Sequence, residues 1–243
     1  VVKPLVGEKA DGPSDAAVLR PRLDSMKSVA VGHGICPRYG DLDTFHMAQC
    51  ALDEALRSVV SVGGDPERTW ALDNFCWTDP VQSERNPEGA YKLAQLVRAC
   101  TGLYEACVAY KIPLISGKDS MKNDYRGGGM TISIPPTLLI SVMSIVPDAT
   151  MAVTMDAKRP GDLLYVLGTT HADIGRSELA GLLGIDGGFV PRVRDLTRTT
   201  RSYIALHRAM REGLVRSCHD CSDGGLGVAL AEAAFGGRMG LTV

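Results

Sequence analysis

One arrangement occurs twice in the 243 residues, and this repetition limits the fold more than any other feature. Ala48, Leu52, Ala55, Leu56, Val59 and Val60 recur at three-and-four spacing, which predicts an amphipathic helix over Thr44 to Val62. Gly63-Gly64-Asp65-Pro66 ends it, and Thr69 to Leu72 then reads as a strand with Asp73-Asn74 at its tip. The second copy is a helix predicted over residues 87 to 110, with Leu93, Leu96, Val97, Cys100, Leu103, Tyr104, Cys107 and Val108 directed to the core. An apolar run, Ile112 to Ile115, follows it and ends at Gly117-Lys118-Asp119-Ser120. Helices alternating with apolar strands whose ends are polar predict an α/β fold.

The polar tip after Ile115 has the residue types of an anion site. Gly117 permits close backbone approach, Lys118 is a point charge suited to phosphate, and Ser120 can donate to an oxyanion. An ordinary turn with solvated charges accounts for the spacing equally well. Asp15, just before the small apolar run Ala16 to Leu19, is either a solvent-facing strand-entry residue or a metal ligand. Glu54 shares a helix face with Ser58 and reads as a solvated flank residue or the partner of a nearby cation.

Elsewhere, Ser28 to Val31 predicts a short strand, and Gly32 to Gly40 a glycine-rich loop in which His33, Arg38 and Tyr39 can contact an anion. Tyr125 to Gly129 reads as a hairpin loop and Thr137 to Val146 as a long strand. A domain boundary is expected between Val146 and Ala157, giving domains of residues 1–150 and 151–243. Beyond it, a buried strand is predicted at Leu163 to Leu167, with helices at Ile174 to Leu183, Leu196 to Met210 and Val228 to Phe235. The last helix follows Asp220, Ser222 and Gly224-Gly225, so its N-terminus is open to a phosphate.

A formal net charge of -2 gives no reason to expect nucleic acid or a membrane as partner, and no apolar run is long enough for a membrane span. Seven scattered cysteines point to a reducing compartment, so a cytoplasmic protein is expected. Cys218 and Cys221 flank His219 and invite a zinc or redox reading, but no second close pair completes a structural zinc site. They read instead as small buried side chains beside Asp220.

Five motifs occur in one order: Cys36-Pro37-Arg38-Tyr39-Gly40, Leu52-Asp53-Glu54-Ala55, Leu72-Asp73-Asn74-Phe75-Cys76-Trp77, Gly117-Lys118-Asp119-Ser120-Met121, and His219-Asp220 through Gly225. Together they resemble the phosphoribosylformylglycinamidine synthase family, and more narrowly the second of its two internally repeated halves. The resemblance spans nearly the whole chain. It implies an α/β (α+β) architecture with a PurM-like N-terminal domain, whose mixed sheet forms half of a β-barrel with helices outside. A PurM C-terminal-like α/β domain, expected to be truncated at Val243, follows.

The resemblance also implies an activity: ATP-dependent conversion of formylglycinamide ribonucleotide and glutamine-derived ammonia to formylglycinamidine ribonucleotide in de novo purine synthesis. Asp15, Glu54 and Asp220 match the family's Mg²⁺ ligands, and Ser222 matches a contact to ATP or ADP. The fourth ligand position is Asn in relatives and Ser58 here, whose reach is shorter. Asp73, Gly117, Lys118 and Ser120 match positions that reach toward ATP and substrate in the working site, with Lys118 binding phosphate or pairing with Asp119. His33, His46 and His219 match no catalytic base, so no catalytic residue is assigned.

The implied partners are the first PurM-like half of the enzyme and a glutaminase domain or subunit, because no cysteine lies in a Gly-X-Cys-X-Gly elbow. Two copies of the fragment could also pair through the half-barrel. The fragment alone is expected to be inactive. Two other readings fit the residues: a catalytically silent nucleotide-holding scaffold, and another ATP-using relative such as aminoimidazole ribonucleotide synthase.

Overall fold

A computed structural model describes residues 1–243. Nine strands form in order: β1 (Leu5–Val6), β2 (Gly12–Pro13), β3 (Ala17–Leu19), β4 (Ser28–Ile35), β5 (Thr69–Cys76), β6 (Leu114–Ser120), β7 (Asp124–Gly127), β8 (Met130–Ser133) and β9 (Thr137–Val146). Five α-helices accompany them: α1 (Thr44–Ser61), α2 (Gly89–Tyr110), α3 (Glu178–Leu183), α4 (Leu196–Arg211) and α5 (Gly225–Gly237).

The main sheet is mixed, with strand order β3-β4-β9-β5-β6. Only β5 and β6 run parallel, and helix α2 supplies the crossover that a parallel pair requires. The repeated helix-strand arrangement thus becomes α1-β5-α2-β6. Strand β9 occupies the centre, antiparallel to β4 from Ser28↔Val146 to Ile35↔Leu139 and to β5 from Thr69↔Ser144 to Cys76↔Thr137.

Helix α1 packs on one face of this sheet and α2 packs beside it. Asp43 caps α1, accepting from the Phe45 and His46 amides at 3.0 and 3.3 Å. Met47, Ala48, Ala51, Leu52, Ala55, Leu56, Val59 and Val60 are all buried, a set that includes every residue of the predicted apolar stripe.

The strand β4 runs to Ile35, four residues beyond the predicted end at Val31. Gly32 and Gly34 therefore belong to the sheet and do not line an anion-contacting loop. A Cβ at Gly34 would lie 2.1 Å from the Ala51 carbonyl oxygen, so glycine is what lets α1 lie against the strand. His33 points to the opposite, exposed face. A 3-10 turn at Pro37–Asp41 follows.

Helix α2 also differs from expectation. Ala99, Gly102, Leu103, Ala106 and Tyr110 are buried, whereas Leu93, Val97, Tyr104 and Val108 are exposed. The small residues face α1 because the two helices approach closely: a Cβ at Gly102 would come within 2.3 Å of the Phe45 carbonyl oxygen. Of the expected stripe only Leu103 is buried, with Leu96 and Cys107 partly so, and part of the stripe borders a groove of about 930 Å³ between α2 and β6.

The other face of the sheet carries no helix and exposes Val31, Ile35 and Met143. A sheet covered on one side and apolar on the other is the form expected of a half-barrel.

Past residue 150 the chain is less regular. Leu163 to Leu167 forms no strand and is exposed, Tyr165 at 86%. No other strand lies beside it to take its backbone N–H and C=O groups, and a lone strand leaves both rows unpaired. The helix predicted from Ile174 begins only at Glu178, capped by Ser177. The α4 and α5 ranges contain the predicted ones. No helix in the chain is long and apolar enough to cross a membrane.

Candidate functional site

Residues from both ends of the chain meet beside α1. Asp15 lies just before β3, and its side chain is 1% exposed, which removes the reading of a solvent-facing strand-entry acid. Its Oδ1 accepts from the Asp220 amide at 3.1 Å and contacts His219 Nδ1 at 2.6 Å. Its Oδ2 is buried with no hydrogen-bond partner. Ligand atoms of Asp15, His219 and Asp220 lie within 4.8 Å of one another. An unpartnered buried carboxylate oxygen beside a second carboxylate is an arrangement that a hard cation would complete.

Asp220 uses one oxygen internally. Its Oδ2 accepts from Ser222 Oγ at 2.6 Å and from Arg57 Nε at 3.3 Å. No side chain or backbone group of the protein donates to Oδ1, which stays available to a ligand.

Glu54 stands nearby but outside the closest group. Its Oε2 accepts from the Ile35 amide at 2.8 Å, with the Cys36 thiol at 3.6 Å. Burial pushes its carboxyl above the usual range; the Ile35 amide and Arg57 oppose this, and the charge of Asp220 adds to it. Ser58 is buried, and its hydroxyl donates to the Ala55 carbonyl at 2.9 Å, a bond within its own helix.

His219 is the residue that the sequence reading passed over. Its Nε2 meets Glu232 of α5 at 2.9 Å, so the ring bridges two carboxylates. Burial alone would lower its pKa, but the Asp15 and Glu232 carboxylates outweigh that and push it up to about 9. The Asp15 carboxyl is raised, chiefly by burial, with His219 opposing. The signal was in the sequence: a His directly before Asp220 sits on the same loop as the matched ligand.

The cysteines take no part in this cluster. Cys221 is exposed and Cys218 is half-buried, so the expectation of two buried thiols flanking Asp220 is corrected. All seven cysteines are free thiols.

The second predicted set lies farther along the sheet, and the structure divides it between two faces. Asp73 and Gly117 are register partners in β5 and β6, as are Asn74 and Lys118. Both stretches are strand throughout, so Asp73 and Lys118 are mid-strand residues and not tip residues as the sequence suggested. Asp73 faces the α2 groove and stands over Gly117, where a Cβ would meet its Oδ1 at 2.5 Å. Lys118 and Ser120 lie on the uncovered face and hydrogen-bond each other. Lys118 does not pair with Asp119, which borders the groove on the other side of the sheet.

The comparisons with known proteins agree with this architecture. The family described as AIR synthase related protein, N-terminal domain, matches residues 13–137, and its C-terminal domain matches residues 159–243. The chain belongs to the AIR synthase related protein family. Among individual proteins it is similar to the phosphoribosylformylglycinamidine synthase subunit PurL of Allorhizobium ampelinum, 34% identical over 230 residues, which is 94% of this chain and 29% of the relative. The PurL subunit of an Anaeromyxobacter species is 36% identical over 236 residues, 95% of this chain and 29% of that protein. The chain therefore spans less than a third of the length of these relatives.

In fold, the chain resembles a solved structure of T. maritima PurL complexed with FGAR, with a TM-score of 0.66 and 17% identity over 97% of this chain and 35% of the other. The PurM-like α/β architecture is thus the one found.

Proposed function

We propose that this chain forms the second PurM-like half of a phosphoribosylformylglycinamidine synthase and holds a magnesium-bound adenine nucleotide. The observation that carries this reading is the meeting of Asp15 and Asp220 across 205 positions of sequence, with a buried Asp15 oxygen left unpartnered. Support comes from PurL relatives that match 94–95% of the chain.

In this reading Asp15 and Asp220 hold Mg²⁺ and Glu54 stands behind them, its carboxylate oriented by the Ile35 amide. Ser58 contributes indirectly, because its hydroxyl is committed to the Ala55 carbonyl. The ion, when bound, neutralises nucleotide phosphate charge. The protein's own groups do the rest. Ser222 keeps Asp220 oriented and lies at the N-terminal approach to α5, where a phosphate oxygen of ATP or ADP finds a hydroxyl and an open helix end.

The wider reaction is the ATP-dependent joining of glutamine-derived ammonia to formylglycinamide ribonucleotide, a carbon-nitrogen ligase reaction of purine synthesis in the cytoplasm. The first PurM-like half pairs with the uncovered face of the sheet. Lys118 and Ser120 on that face reach the phosphates of ATP and the substrate, and Asp73 with Gly117 shapes the strand pair behind them. Ammonia comes from a glutaminase domain or subunit. Domains of residues 1–150 and 151–243 meet at the Asp15–Asp220 contact.

Calorimetric titration of the purified chain with ADP tests the nucleotide site. Binding that requires Mg²⁺ and disappears in EDTA is expected; binding of equal strength without the ion would contradict the assignment. In an assembly with the first half and a glutaminase, the chain should support formylglycinamidine ribonucleotide formation. Nucleotide binding without such turnover would favour the silent scaffold reading.

A further inference from the structure

One buried network has no part in the assignments above, yet it ends on them. Asp53 of α1 has a side chain only 8% exposed. Its Oδ1 accepts from two phenols, Tyr110 of α2 at 2.6 Å and Tyr203 of α4 at 2.8 Å. Its Oδ2 holds the guanidinium of Arg57, one turn along α1. Arg57 in turn donates through Nε to Asp220 at 3.3 Å, and its remaining nitrogen approaches the Cys221 carbonyl and Ser222 Oγ at 3.5 Å each.

Three helices are therefore tied to the 220–222 loop through one carboxylate and one guanidinium. The order matters physically. A guanidinium is a planar fork of five N–H donors, and one edge fixed on a buried carboxylate fixes the direction of the others. Arg57 can hold Asp220 by Oδ2 only while Asp53 holds Arg57, and Asp53 is immobilised by two phenols from different helices. A charged Asp53 with three donors is satisfied; without Arg57 it would be a buried charge held by phenols alone.

We propose that Asp53 is a positioning residue of the nucleotide site and acts through Arg57, which sets Asp220 and Ser222 opposite Asp15. This rests on the nucleotide-site reading given above. Arg57 and Ser222 both occupy Asp220 Oδ2, which leaves Oδ1 without a protein donor beside the Asp15–His219 group. Partners of this kind, one bond removed from a ligand, typically change affinity about 10- to 100-fold when removed.

The test is a double-mutant cycle on the full chain, read as MgADP affinity by calorimetry. Asp53→Asn and Arg57→Lys should each weaken binding about tenfold or more, and the double variant should be no weaker than the weaker single variant. Amide hydrogen exchange at residues 218–224, measured without nucleotide, should rise in each single variant and rise no further in the double. A purely structural Asp53 would lower the melting temperature and leave MgADP affinity unchanged in the folded fraction. That result, or additive losses in the cycle, would overturn the proposal.

Should Asp53→Asn fail to fold, Tyr203→Phe removes a single donor and should give a smaller loss of affinity in the same direction; unchanged affinity there would count against the chain of action. Asp15→Asn separates the two readings. If it abolishes MgADP binding while Asp53→Asn and Arg57→Lys bind normally, the nucleotide site stands and the positioning inference falls. If Asp15→Asn binds as well as wild type, the site reading itself falls and this inference with it.

Discussion

The backbone amide of Asp220 donates to Oδ1 of Asp15 at 3.1 Å, joining residues 205 positions apart. This bond places two carboxylates side by side in a partly buried setting, where like charges repel strongly unless a cation stands between or beside them. His219 supplies one such positive group on one side. The unpartnered Asp15 Oδ2 marks where another would fit.

Replacing Asp220 should separate nucleotide binding from folding. Asp220→Ala removes a proposed ligand together with the acceptor for Ser222 and Arg57. MgADP affinity should fall by at least about tenfold, which corresponds to about 1.4 kcal/mol. Calorimetry on a variant shown by circular dichroism to be folded checks this, and unchanged affinity would remove Asp220 from the ligand set.

Two glycines should respond differently to the same added methyl. Gly34→Ala drives a Cβ to 2.1 Å from the Ala51 carbonyl and 2.7 Å from the Ala55 amide, both helix backbone. Helix α1 must move away, and a loss of about 1–3 kcal/mol is expected from denaturant midpoints. Gly117→Ala meets the Asp73 carboxylate, the free end of a short side chain that can turn aside. Its cost should stay below about 1 kcal/mol, since alanine also restricts the unfolded chain. Equal losses would mean that these contacts do not set the two sites apart.

The cap of α1 should give stability a defined acid dependence. Burial pushes the Asp43 carboxyl up, but the Arg98 guanidinium at 2.8 Å and the His46 amide outweigh it and hold Asp43 below the usual carboxylate range. A group with a lowered folded pKa contributes stability above its unfolded value of about 3.9 and loses it as pH falls through the folded value. Asp43→Asn keeps a capping oxygen and removes the charge. The wild type should therefore be more stable than Asp43→Asn at neutral pH, with the gap closing below about pH 4. Thermal melts between neutral and acid pH read this directly, and a gap independent of pH would refute the charge contribution.

Much of the fold was legible because its strongest signals are local. The stripe from Ala48 to Val60 and the run Thr137 to Val146 gave elements whose ends differ from the observed α1 and β9 by no more than a residue. The glycine-rich stretch after Val31 was misread because glycine marks both loops and close packing, and only the position of α1 over Gly34 tells the two apart. On α2 the apolar pattern was right for Leu103 and in part for Leu96 and Cys107, but it missed Ala99, Gly102 and Ala106, which are favoured there by the spacing of two helices and not by hydrophobicity. The expected strand at Leu163 to Leu167 depends on a neighbour strand, which local sequence does not show.

The candidate site was legible in its residue types and less so in its connections. Asp15 and Asp220 could be paired by resemblance, but the part played by His219, Arg57 and Asp53 is a matter of three-dimensional contact. Asp53 and Arg57 are one turn apart on α1, a spacing that by itself shows no contact beyond the helix. The burial of Asp53 under Tyr110 and Tyr203 comes from the packing of α2 and α4 against α1.

Crystals of the chain grown or soaked with Mn²⁺ and ADP provide the most direct measurement, through anomalous scattering from the ion. The expected result is a peak at coordination distance, about 2.1 Å, from Asp15 Oδ2 and from an Asp220 carboxylate oxygen, with nucleotide phosphate beside Ser222. A nucleotide bound elsewhere, or no peak between these two carboxylates at saturating Mn²⁺, would contradict the assignment.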